Sequence, residues 1–436
     1  MNRKAVFTLT GFMAALVAAA TPSATVNGVS QEAGRKVVVN YTLTDGPAVV
    51  TVDFQIDGQS VTYVRDVWGD VNRLVSGDGV HTLTWSPDRD CPGLNVAAGG
   101  FKAIVKAWSP ATPPDYMVVD LELTNTVFYY ASTNALPDGG LANDIYRMSR
   151  MVFRRIPAKN VQWVMGSQAT DPSRNKAREG THYVTLTEDY YMGIYEVTQW
   201  QYKRIFGSNP SQFADYPNAD IMPCDNVSYR NARGITTDGI NWPATGHTMW
   251  TGSYLHKLRA HVKQQLLFDL PTEAQWEYAC RAGVGVAFNT GDNSWNETIG
   301  WGWNNSAVDG VLQPHPVGLK KPNAWGLYDM HGNVAEWCLD WFYNPTDGYV
   351  GYGADPVTDP TGPEMSPEGA YKDFKRCVRG SSFHAQLNEA NEANLLRSGA
   401  RSSYAQSANY ISSMSNEYSR RTGIRVCCPI GSGVTL

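Results

Sequence analysis

Hydrophobic spacing divides the chain into two textures. From about 25 to 108 the apolar residues alternate with polar ones, the period of a strand with one buried face. Lys36–Leu43 (KVVVNYTL) puts Val37, Val39, Tyr41 and Leu43 on one side. Val50, Val52, Phe54 and Ile56 repeat the pattern, and Asp57-Gly58 follows as a hairpin signal. His81, Leu83 and Trp85 alternate again, as do Phe101, Ala103, Val105 and Ala107. Short alternating runs joined by Gly and Asp turns predict an all-β sandwich of immunoglobulin or fibronectin type, with roughly six or seven strands.

A Pro-rich stretch, Ser109–Tyr116 (SPATPPDY), reads as a linker. Asp115–Leu121 predicts one more short strand, and the whole of 109–152 reads as connector. Beyond about 151 glycines and aromatics are dense and regular elements are short. Two helices are still legible. Thr198-x-x-Gln201 and Thr272-x-x-Gln275 are capping boxes, with Gly207 and Gly283 as stops. In the second, Trp276, Ala279 and Cys280 form an inward stripe. Asn289–Gly318 and Tyr343–Tyr371 read as loops. The whole chain is therefore expected to be α+β, with much irregular backbone held by side-chain hydrogen bonds, metals or disulfides.

Composition narrows the possibilities. At 436 residues the chain suits two or three domains, and 42% apolar content supplies ample core. A net charge of −5 gives no electrostatic footprint for nucleic acid. Residues 1–24 have the form of a signal peptide: Arg3 and Lys4, an Ala-rich apolar run, then Ala18-x-Ala20, with Ala24 as a second cleavage candidate. No later segment reaches about 18 consecutive apolar residues, so no membrane span is expected. The protein is expected to be secreted or periplasmic. Its seven cysteines include no CxxC pair, which argues against a zinc ribbon or thioredoxin-type site. Disulfides are allowed in an exported chain, but an odd count leaves one thiol over.

Candidate chemistry concentrates in Tyr328–Trp337 (YDMHGNVAEW), where two carboxylates and a histidine flank a glycine turn. A metal loop, a catalytic pair and a plain turn all satisfy that pattern. Calcium takes six to eight oxygen ligands, and a glycine turn can aim carbonyls inward; histidine is a poor ligand for it.

Several longer motifs follow one another in order. They are MGS at 165, YEVT at 195, NVS at 226, LPTEAQWEY at 270, HPVG at 315, PNAWGLYDMHGNVAEW at 322, RGSSF at 379 and GIR at 423. Together they resemble the sulfatase-modifying-factor (formylglycine-generating enzyme-like) family over about 153–430. The resemblance implies that family's variant of the C-type lectin fold. It also implies calcium bound by the side chains of Asp329 and Glu336 and the carbonyls of Gly332 and Val334. An aspartate at 329, where some relatives carry a neutral side chain, would strengthen such a site. Asn304 and Asn305 are loose candidates for a second one. Ser382, Phe383, Arg401 and Arg425 match positions around the family's groove, with Ser382 the single weak catalytic candidate. Arg401 and Arg425 also read as buried partners of carboxylates.

The sequence departs from the family where oxidation would occur. In the formylglycine-generating members two cysteines after the RGSSF-like motif hold copper and engage the substrate thiol. Here no cysteine lies between Cys377 and Cys427, and soft thiolates are what select Cu(I). The family partner of Cys280 would fall near Gly399. Histidine spacing gives no HxxxHxE iron site. Copper and iron are thus not expected. Two readings remain. One is a calcium-stabilised module that binds an exported protein, peptide or glycan, with Ser402–Ser419 as an adaptable surface. The other is a diverged oxidoreductase of the same superfamily acting on an exported substrate.

Overall fold

A computed structural model describes residues 20–32, 35–176, 178–342, 356–363, 375–384, 393–405 and 421–430. Most of the signal-peptide segment, most of Ser402–Ser419 and much of Tyr343–Tyr371 lie outside these. No helix of the described residues is long and apolar enough to cross a membrane.

The alternating runs become two antiparallel sheets around one core. In the first sheet Val37–Thr44 lies between Ser23–Gln31 and Gly79–Trp85, and Val67–Gly69 completes it. In the second, Ala48–Ile56 pairs along its length with Phe101–Trp108 and, on its other side, with Gln59–Ser60 and Arg73–Val75. The side chains of Val37, Val39, Tyr41 and Leu43 are fully buried and meet Val50, Phe54, Leu83 and Trp85 from both sheets. Phe54 and Trp85 stack with centroids 4.4 Å apart. The turn at Asp57-Gly58 has φ +50° and +78°, the left-handed pair that a two-residue hairpin requires. Eight strands form among the described residues, three of them only two or three residues long.

Part of the 109–152 connector is built into the second unit. Tyr116–Asp120 and Val127–Tyr130 are two strands of a five-stranded antiparallel sheet completed by Arg150–Ile156, Tyr190–Gly193 and Cys427–Pro429. Met117, Val119, Met151 and Phe153 carry this sheet into the larger core. That burial is why the segment is ordered, although its sequence reads as linker. A separate four-stranded sheet holds the fully buried Ala335–Trp341 between Lys375–Arg379 and Thr422–Gly423.

Both capping boxes form. Gln199–Phe206 starts at Thr198 and ends at left-handed Gly207. Glu273–Arg281 starts at Thr272, but its left-handed cap is Ala282, one residue before the expected glycine. This helix is sealed on nearly every side, not along one stripe: Glu273, Ala274, Trp276 to Arg281 are all buried. A further helix, Tyr254–His261, of eight residues, packs against the first.

Candidate functional site

The loop Tyr328–Trp337 is wound through three left-handed residues, Asp329 (φ +58°), Gly332 (φ +107°) and Asn333 (φ +65°). A Cβ at Gly332 would stand 1.9 Å from the Trp301 carbonyl oxygen, so only glycine fits. The loop's polar groups are taken up by several of the other motifs. Gly332 N donates to Gly380 O (2.8 Å), and Phe383 N donates to Asn333 O (2.7 Å). The Asn333 amide donates to Glu196 Oε2 (2.7 Å) and accepts from His315 N (2.9 Å). Val334 N donates to Glu196 Oε1 (2.9 Å). Gly318 N donates to Asp329 Oδ2 (2.7 Å). The separate sequence motifs therefore converge on this one loop.

Below it lies a buried charge cluster. Glu196, Asp329 and Glu336 are each 1% exposed, and Arg425 is fully buried among them. Glu336 accepts from Arg425 Nη2 (2.7 Å), from its Nε (3.0 Å) and from Trp276 Nε1 (2.6 Å). Arg425 also donates to the carbonyls of Gly193 (3.0 Å) and Tyr328 (2.9 Å). Loss of hydration, then the neighbouring Asp329 and Glu336, pushes the Glu196 carboxyl well above the usual range. Burial pushes Asp329 up to about 6, against the pull of the Gly318 amide and Arg425. Asp329 Oδ1 is buried with no hydrogen-bond partner. An orphaned, partly anionic oxygen in an acid-rich pocket fits a hard cation. Glu336 would have to share its oxygens with Arg425.

His331 is fully buried and hydrogen-bonded within the core. Its Nδ1 donates to Leu396 O (2.7 Å), and burial pulls its pKa down to about 4. Its Nε2 faces Cys280 Sγ at 3.8 Å. Cys280 Sγ also lies 3.5 Å from Ser398 Oγ, so Ser398 is the residue that meets the orphaned cysteine. All seven cysteines are unpaired. Burial raises the thiols, Cys280 and Cys428 up to about 12, and a buried neutral thiol is a poor nucleophile and metal ligand. Among the described residues no three His, Cys, Asp or Glu side chains are grouped as a metal site requires.

The four groove candidates separate. Ser382 and Phe383 follow the turn at Ser381 (φ +59°), with the Phe383 ring edge-on to Phe213 at 5.6 Å. Phe213 in turn packs on the exposed Tyr216, and Trp303 meets His384. Arg401 instead grips Glu273 through two 2.7 Å bonds, and Arg425 lies beneath the Tyr328–Trp337 loop. Both arginines are therefore internal braces. Between Arg379, Ser381, Leu395 and Arg401 the free space is about 10 Å³, room for one water. Asn305 is spent on a turn, accepting from Gly302 N (2.8 Å), and Asn304 is exposed. Sequence reasoning missed Glu196; its signal was a lone acid in YEVT, indistinguishable there from a surface residue.

Residues 154–426 match the sulfatase-modifying factor enzyme 1-like domain family, and the chain belongs to it. It is 33% identical over 191 residues to the chaperone protein LppX of Paenibacillus barcinonensis, covering 37% of this chain and 65% of that one. It is 34% identical over 177 residues to the formylglycine-generating enzyme of Streptomyces coelicolor, covering 38% and 46%. The chain thus spans less than two-thirds of each of these relatives. Treponema denticola variable protein 1 superposes with a TM-score of 0.45 at 22% identity, over 64% of this chain and 95% of that one.

Proposed function

We propose that this is an exported binding protein of the family, stiffened by calcium and lacking copper-dependent cysteine oxidation. One observation carries the reading: no cysteine lies between Cys377 and Cys427, where the formylglycine-generating members hold copper. Six of the seven thiols are buried, which favours their protonated form, and the partly exposed Cys91 lies outside residues 154–426, so no thiol is placed to replace the missing pair. Calcium would be held by Asp329 and Glu336 with the carbonyls of Gly332 and Val334. It would neutralise the acid cluster and fix the Tyr328–Trp337 loop, to which Phe383 N is bonded through Asn333 O. The ligand, an exported protein, peptide or glycan, would meet the aromatic surface of Phe213, Tyr216 and Trp303, backed by the buried Phe383, rings suited to large contact at low entropic cost. A relative named as a chaperone is in keeping with binding. The N-terminal two-sheet unit is read as an immunoglobulin-like sandwich serving as spacer, and the C-terminal unit as the family's lectin-type fold.

Elemental analysis of the mature protein, exported by its own route without added metal, tests this. About one calcium per chain and no copper or iron is expected. Stoichiometric copper, or conversion of a cysteine-containing sulfatase peptide to the aldehyde, would overturn it.

A further inference from the structure

The two units meet around a cavity of about 580 Å³, within the range of small-molecule sites, roughly 300–1,000 Å³. Its walls come from both units: Val49 and Leu74 from the second N-terminal sheet, Val127 and Tyr129 from the strand after the linker, and Tyr191 and Leu266 from the C-terminal core. The walls are pinned in place. Tyr129 N donates to Asn72 O (2.8 Å), joining the units beside Arg73, and the Tyr191 hydroxyl donates to Pro114 O (2.5 Å). Five polar side chains, Arg73, Ser109, Asn125, Thr126 and Gln265, interrupt the otherwise apolar lining, and Arg73 alone among them is charged. Arg73 is exposed and lines the cavity, and its guanidinium has no hydrogen bond or ion pair among the described residues. Asn125, also lining it, has a buried side-chain oxygen without a donor.

We infer that this seam is a binding site for a small molecule with an apolar body and one carboxylate, its acid group held by Arg73. An apolar cavity between two units favours an apolar occupant, since filling it removes both surfaces from water. The single unpaired guanidinium at the mouth selects the charge, and its fork matches a carboxylate. Binding would also clamp the N-terminal unit to the C-terminal one, because both supply walls. This site is separate from the Tyr328–Trp337 loop and stands without the calcium reading.

The test uses the full mature chain and a dansyl-labelled undecanoate, whose emission brightens in apolar surroundings. Unlabelled decanoate should displace it, and decanol should compete at least about tenfold more weakly, the difference one charge-assisted bond makes. Arg73→Ala should abolish the preference for decanoate over decanol. Val127→Trp, which fills the cavity, should weaken both competitors and the probe. Arg73 is exposed, so Arg73→Ala carries the test even if Val127→Trp fails to fold. The inference fails if the wild type leaves the probe dark, if decanol competes as well as decanoate, or if Arg73→Ala keeps the full preference.

Discussion

Replacing Asp329 by Asn isolates the electrostatic cost of the buried loop. In the folded chain this carboxyl titrates at about 6, against 3.8 for a free aspartate. Between those values the folded chain binds the proton that the unfolded chain has already released. Stability therefore falls as pH rises through that window and stays lowered above it. At about 1.4 kcal/mol per tenfold, the ionised Asp329 costs about 3 kcal/mol at pH 7. Asparagine keeps an oxygen for the Gly318 amide but carries no charge, so the variant should lose most of this pH dependence. Its extra N–H lacks a partner and returns about 1–2 kcal/mol of the gain. Urea denaturation in EGTA between about pH 4 and 7 should show the parent weakening with pH and Asp329→Asn weakening less, its remaining slope coming from the other buried carboxyls Glu196, Asp225 and Asp340. Added calcium should raise the stability of the parent at pH 7 and leave the variant almost unmoved. A variant with the parent's pH slope, or one that calcium stabilises equally, would refute the assignment of both the cost and the cation to this oxygen.

Arg425→Met should be far more damaging, because Glu336 then loses three of its contacts in a fully buried site. About 3–5 kcal/mol of destabilisation is expected by chemical denaturation, and a change under about 1 kcal/mol would contradict the brace role. Ser398→Cys places a thiol where its hydroxyl already lies 3.5 Å from Cys280 Sγ. Of the resulting eight thiols (the native seven plus one), two should disappear from a denatured thiol titration after air oxidation; no loss would mean the Cβ geometry forbids a bridge. Ser23 and Ala24 pair with Thr44 and Leu43 at the start of the first strand, so cleavage after Ala20 keeps that strand whole. N-terminal sequencing of exported protein should begin at Thr21, and a start at Thr25 would show that the first two register pairs are dispensable.

Much of the secondary structure was readable along the chain. The inward sets Val37/Val39/Tyr41/Leu43 and Leu83/Trp85 follow from a period of two. The hairpin at Asp57-Gly58 and the caps at Thr198 and Thr272 follow from residue types that satisfy nearby backbone. Tyr116–Asp120 was found as a strand but not as part of a sheet. Its partner Arg150–Ile156 lies about thirty residues on, and strand propensity names no partner.

The charge cluster shows the same boundary more sharply. The loop YDMHGNVAEW announces acids on a glycine turn, because composition and spacing are local properties. Which of its oxygens is left without a donor is not local. Asn333 is 137 residues from Glu196, and Glu336 is 89 from Arg425. A carboxylate reads the same in sequence whether it ends up in water, against a guanidinium or alone. Burial and partner choice arise from the packing of distant segments, and they separate braced Glu336 and Arg401 from orphaned Asp329. The thiols obey the same rule: their number is written in the chain, but that all seven stay unbridged comes from where the fold places each of them.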